Sequence, residues 1–226
     1  MPIPIDFPKI TYEKLKELVD AYDLKQRANP QQPTILYGDF ALSYNSIRYR
    51  FRSVADADAA YQAAFRMPDV SGDQEKRYLE ERELFNFFAT FVSTVEVLCY
   101  CAFAIGSMAN TTAFPLATEK NRRNVNPKKT KDNFATYYLA DQTTVELDDM
   151  LSTYADADKM RNLLSHRGSP PRHHFRYVGG PGRNRTEWGP APFEIDANTT
   201  ARLRPLLFRY TRSMREALCQ FVRKHL

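Results

Sequence analysis

A chain of 226 residues, 43% of them hydrophobic, is long enough to bury a sizeable core, which excludes disorder throughout. Its net charge of +5 is too modest to announce a nucleic-acid binder, so the distribution of charge matters more than the total. Gly is sparse, at 8 residues, and the apolar residues recur mostly at helical spacing, so an all-α chain is expected.

Residues 11–28 read as an amphipathic helix that stops at Asn29-Pro30. A short irregular link leads to a second helix over about 44–66, with Ile47, Phe51, Val54, Tyr61 and Phe65 on one side; residues 68–72 break it. The third helix, about 73–109, is the longest. Its stretch from Phe87 to Ala109 is apolar enough to suggest a membrane span, but Glu96 lies at its centre, where a mid-bilayer carboxylate is costly. A buried central bundle helix is the expectation, with no membrane partner.

Residues 110–131, rich in Asn, Pro and Lys, read as loop with a short helix near 116–123, and Phe134 to Ala140 as another short helix. A helix over about 142–167 ends where Gly168, Pro170 and Pro171 forbid continuation. Residues 168–198 hold five of the 14 Pro and five of the 8 Gly, hence a long loop with a small hairpin near Phe175–Val178 and Thr186–Trp188. The last helix, about 199–225, puts Leu203, Leu206, Leu207, Tyr210, Met214, Leu218 and Phe221 on one stripe, with arginines opposite. The organisation expected is an N-terminal helical extension, 1–70, on a helical bundle, 71–226, within one compact domain.

Cys99, Cys101 and Cys219 are odd in number and lack framework spacing, which fits reduced thiols. The opening MPIPIDFPK has neither a basic nor an apolar signal region, so a cytoplasmic location is expected. Neither metal nor other cofactor is expected: His173-His174 have no acidic or thiol neighbour and read as loop residues. Trp188 could stack on a base, but anchoring the loop on the bundle is the simpler reading.

The residues that carry chemistry lie on the helix over 142–167. Arg161 falls inside the apolar stripe of Leu147, Met150, Leu151, Tyr154 and Ala157, where an unpaired charge costs several kcal/mol, on the order of 3–5. Glu96 likewise falls inside an apolar stripe, with Phe85, Val92, Cys99 and Phe103. Two opposite charges on buried faces suggest that they meet, so the Glu96 carboxylate is expected within hydrogen-bonding reach of Arg161 or His166. A structural ion pair is the plainer alternative. Asn162 and His166 share one face at an i,i+4 spacing, and His166 lies in the last turn, where the helix dipole favours imidazolium. The stretch 159–186 carries seven Lys or Arg and no Asp or Glu, including Arg161, Arg167, Arg172 and Arg176. A second run, 120–131, includes Lys128, Lys129 and Lys131. Either run alone fits a solvated loop; together they point to a polyanion such as RNA.

Arg161-Asn162-Leu163-Leu164-Ser165-His166 is similar to the Arg–polar–x-x-x–His motif of the HEPN domain family. The resemblance covers about residues 80–226. It implies an all-α, HEPN-like bundle, typically homodimeric, and for many members metal-independent endoribonuclease activity in toxin–antitoxin or antiphage defence. Arg161, His166, Asn162 and Glu96 would then be catalytic, and Arg167, Arg172, Arg176, Lys128, Lys129 and Lys131 would bind RNA. HEPN toxins silenced by nucleotide transfer carry a Tyr two residues after the His; Gly168 stands there, although an antitoxin or nucleotidyltransferase-type partner is compatible with the rest. An imidazole can move protons near neutral pH, and a guanidinium grips two phosphate oxygens at once. Arg161 and His166 project about 140° apart on an ideal helix, which favours a site shared between two chains. The alternatives are a non-catalytic HEPN-like RNA-binding or assembly module, and a regulatory protein that docks an acidic partner.

Overall fold

The computed structural model describes residues 7–27, 35–68, 74–166, 172–175, 185–188, 194–196 and 198–226, with the backbone alone at residues 35, 166, 172–175, 185–188 and 194. Among these, the chain is all-α apart from one small sheet. The helices are α1 (Lys9–Arg27), α2 (Ile35–Phe65), α3 (Gln74–Ala109), α4 (Glu119–Arg123), α5 (Pro127–Tyr137), α6 (Gln142–His166) and α7 (Thr199–His225).

Apolar stripes explain the packing. Tyr12, Leu15 and Val19 turn α1 inward, while Arg27–Asp23 and Lys9–Glu13 pairs line its wet side. Helix α2 begins at Ile35, nine residues before the expected start near 44. Gly38, Asp39 and Ser43 disfavour helix locally, but burial of Phe40 and Tyr44 overrides them. The Tyr12 and Tyr44 rings stack with centroids 3.9 Å apart, and each hydroxyl donates to the other residue's carbonyl, at 3.2 and 2.5 Å.

Helix α3 is the central element, touching α2, α5, α6 and α7. It is long and apolar enough to cross a membrane by length and composition, yet most of its apolar stretch is buried against these helices. Residues 7–68 and 74–226 feed one contiguous core running from Phe7 to Val222.

Two further elements depart from the sequence reading. Residues 127–131, expected as loop, open α5: the Asn126 side chain accepts from the Lys129 amide at 2.9 Å and Pro127 takes the first helical position. In the stretch 168–198, β1 (Arg172–Phe175) pairs antiparallel with β2 (Arg185–Trp188), and β2 with β3 (Glu194–Ile195). The hairpin thus begins at 172, ahead of the expected 175, while residues 176–178 lie outside the described residues; Ile195 pins the sheet to the core.

On α7 the stripe from Leu207 to Phe221 is buried as the spacing predicts, but not every arginine faces outward. Arg215 is fully buried between the Phe7 and Tyr12 rings, 4.8 and 5.0 Å from their centroids, and its Nη1 donates to the Pro8 carbonyl at 3.3 Å. Its Nε and Nη2 have no hydrogen-bond partner among the described residues.

At Gly106 a Cβ would lie 2.8 Å from the Phe114 ring, which is itself wedged against Phe103 and Phe134. Gly106→Ala is therefore expected to destabilise the fold by about 1–3 kcal/mol through overpacking, despite Ala being the better helix former. Chemical denaturation checks this; an unchanged midpoint would mean that the ring yields freely.

Candidate functional site

The motif residues occupy the last two turns of α6. Arg161 and Asn162 are both half-buried, and one carboxylate organises them. Asp158 Oδ1 accepts from Arg161 Nη2, and Asp158 Oδ2 accepts from Asn162 Nδ2 at 3.2 Å. Helical spacing explains the triplet, because positions three and four beyond Asp158 stack on its face. Arg161 Nε is buried with no partner, and Ser165 Oγ donates to the Arg161 carbonyl at 2.7 Å. His166 is the final residue of α6; its side chain lies outside the described residues.

The expected contact between Glu96 and Arg161 is not made. Arg161 pairs with Asp158 on its own helix, and Glu96 instead accepts the Tyr154 hydroxyl at 3.3 Å. The physical reason is proximity: a carboxylate three residues back satisfies a guanidinium without the two helices having to meet. Tyr154 lies on the α6 face that carries Asp158 and Arg161, so it links Glu96 to the motif. Burial, and then the Glu96 and Asp158 charges, hold the Tyr154 phenol well above its usual pKa, so it serves as a donor. Neither Tyr154 nor Asp158 was singled out by the sequence reading. The i−3 spacing of Asp158 to Arg161 was a signal that could have found the second.

Beside Glu96 a cavity of about 930 Å³ is not what one finds; the smaller one there, about 520 Å³, is lined by Asp39, Ser43, Ser46, Tyr100 and Asn126. At its wall Asp39 accepts from Tyr100 Oη at 2.9 Å and Arg122 Nε at 3.1 Å. The larger cavity lies elsewhere, between the start of α1 and the first turns of α7.

The second basic run does not converge on the motif. Lys128 pairs with Asp132 at 2.6 Å, Lys131 pairs with Asp148, and Lys129 Nζ sits 5.7 Å from the Phe103 ring centroid. Asp148 precedes Arg161 by thirteen residues on α6, about 20 Å along the axis. Two of the three lysines thus carry their own carboxylates, and the run forms a surface separate from the Arg161 end. Arg172 is placed by its backbone in β1, while Arg167 and Arg176 lie outside the described residues. All three cysteines are free and buried, with burial pushing the Cys101 thiol up to about 12. Among the described residues, no group of three or more His, Cys, Asp or Glu is placed to hold a metal ion.

Comparison with protein-family models, with curated proteins and with solved structures returns no match.

Proposed function

We propose that this chain is a metal-independent endoribonuclease of HEPN type, with a HEPN-like bundle, acting on single-stranded RNA in a cytoplasmic toxin–antitoxin or antiphage defence system. The observation that supports it most is the Asp158 carboxylate holding Arg161 and Asn162 side by side, one turn before His166, on a helix packed into the core. In this reading His166 removes the 2′-hydroxyl proton, the O2′–P bond forms, and Arg161 stabilises the charge on the phosphorane. The P–O5′ bond then breaks and an imidazolium protonates the leaving oxygen. Asn162 orients the phosphate or ribose, and Glu96 of α3 supports the motif through the Tyr154 hydroxyl of α6.

Purified protein incubated with single-stranded RNA and a chelator should leave 2′,3′-cyclic phosphate ends, while DNA of the same sequence stays intact. Cleavage that requires a divalent ion would refute the reading. The Asp158–Arg161 pair also favours a second reading, a non-catalytic RNA-binding module whose guanidinium is already neutralised. RNA binding without cleavage would select it.

In this reading the site lies between two copies of the chain, which the resemblance and the divergent directions of positions 161 and 166 on an ideal helix support. A wild-type chain mixed with His166→Ala should form heterodimers with much less than half of wild-type activity. A monomer with full activity at micromolar concentration would rule out the shared site.

A further inference from the structure

We propose that Arg50 of α2 is a second phosphate-gripping residue, which faces Arg161 across the exposed surface of α3 and so fixes the path of the RNA strand. The inference rests on the ribonuclease reading and adds to it a substrate path that the motif does not contain.

Helical arithmetic from printed contacts carries the argument. Helices α2 and α3 run antiparallel: Lys76 Nζ bonds the Met67 carbonyl at one end, and Tyr100 Oη bonds Asp39 at the other. Arg50 lies eleven residues past Asp39, and Ala89 eleven residues before Tyr100, so both stand at one level of the bundle, about 16 Å from that contact. Helices α3 and α6 are also antiparallel. Tyr154 bonds Glu96, and further along α3 Phe103 lies under Lys129, two residues from Lys131, which pairs with Asp148. Arg161 lies seven residues past Tyr154, and Ala89 seven residues before Glu96. Arg50, Ala89 and Arg161 therefore share one level.

They also share one face. Eleven residues bring Arg50 back within about 20° of Asp39, and seven bring Arg161 within about 20° of Tyr154. Asp39 and Tyr154 are the residues that reach α3 at Tyr100 and Glu96, so the two arginines look onto α3 from opposite sides. Between them the α3 surface carries Ala89 and Ser93, both small and partly exposed, and this strip of short side chains is the proposed channel over the helix.

Charge supports the assignment. Arg50 is half-buried and, among the described residues, has neither a carboxylate nor a hydrogen-bond partner. Its neighbour Arg52 pairs with Asp56, and Arg48 bonds the Tyr49 hydroxyl at 3.1 Å. A half-buried guanidinium left without a counterion, opposite one with a buried and unpartnered Nε, fits an anion shared between them.

The test uses the full chain and a 2′-O-methyl oligoribonucleotide, which cannot be cut, in a fluorescence-anisotropy titration at several salt concentrations. Arg50→Ala and Arg50→Gln should each weaken binding at least tenfold and lower the salt slope by about 0.7, the share of one phosphate contact on a single strand. Ala89→Leu should weaken binding at an unchanged thermal midpoint, by filling the channel. Lys25→Ala, at the opposite end of the bundle, should bind like wild type. If the Arg50 and Ala89 variants bind like wild type while Arg161→Ala is impaired, the path across α3 is wrong and the ribonuclease reading stands. If the wild type neither binds this oligonucleotide nor cuts RNA, both fall together.

Discussion

Replacing Arg161 by Ala is expected to lower RNA cleavage by at least about a hundredfold, the usual cost of removing one donor that stabilises charge in a transition state. The protein should stay folded. The guanidinium is about one-third exposed and its partner Asp158 is similarly open, so the pair belongs with surface ion pairs, worth about 0–1 kcal/mol. Arg161→Lys separates charge from shape: the ammonium keeps the cation and loses the planar fork that holds two oxygens at once. It should recover only part of the activity. Circular dichroism and thermal melts of both variants, beside cleavage rates, make the comparison. A fully active Arg161→Ala protein would remove the motif from the chemistry altogether.

Arg215 should produce the largest stability effect, with a sign that depends on the substitution. Burial pushes its pKa down to about 10, so at neutral pH it is a cation sealed in the core with two aromatic faces, one carbonyl and, among the described residues, no carboxylate. Contacts with ring faces return about 0.5–2 kcal/mol, against a desolvation penalty of several kcal/mol. Arg215→Met, which fills similar space without charge, should match or exceed wild-type stability, by about 1–4 kcal/mol at most. Arg215→Ala should lose about 2–5 kcal/mol, because truncation leaves a void under Phe7 and Tyr12. Urea denaturation of the three proteins decides it. If Met destabilises as much as Ala, the guanidinium has a specific role in the core that its visible contacts do not explain.

Much of this fold is legible from spacing alone. The stripes on α1, α3, α6 and α7 appear in the sequence because each is an amphipathic or buried helix whose apolar period survives without tertiary help. The beginning of α2 is illegible for the opposite reason: Gly38, Asp39 and Ser43 vote against helix, and only tertiary contacts, with α3 above all and with Tyr12 of α1, outvote them. Pro127 misleads where its context, Asn126 before it and a turn of helix after it, was available to correct the reading. At the candidate site, Glu96 and Arg161 were marked as charges on buried faces, and both are half-buried. The pairing of Glu96 with Arg161 was wrong, since a helical wheel shows which face a charge occupies and not which neighbour reaches it first, while the alternative pairing of Glu96 with His166 lies outside the described residues. Arg215 escaped notice because arginines dominate one side of α7, and a stripe hides a single member that points the other way.

The pairing of α1 with α7 has a consequence for how the protein is made. Helix α1 waits for α7, which follows it by more than 170 residues, and Arg215 finds its place only when Phe7 and Pro8 close over it. A nascent chain stalled within α6 therefore exposes the apolar side of α3 that α7 would cover, a surface prone to aggregation. In the ribonuclease reading, such late closure delays a working site until α7 has been made.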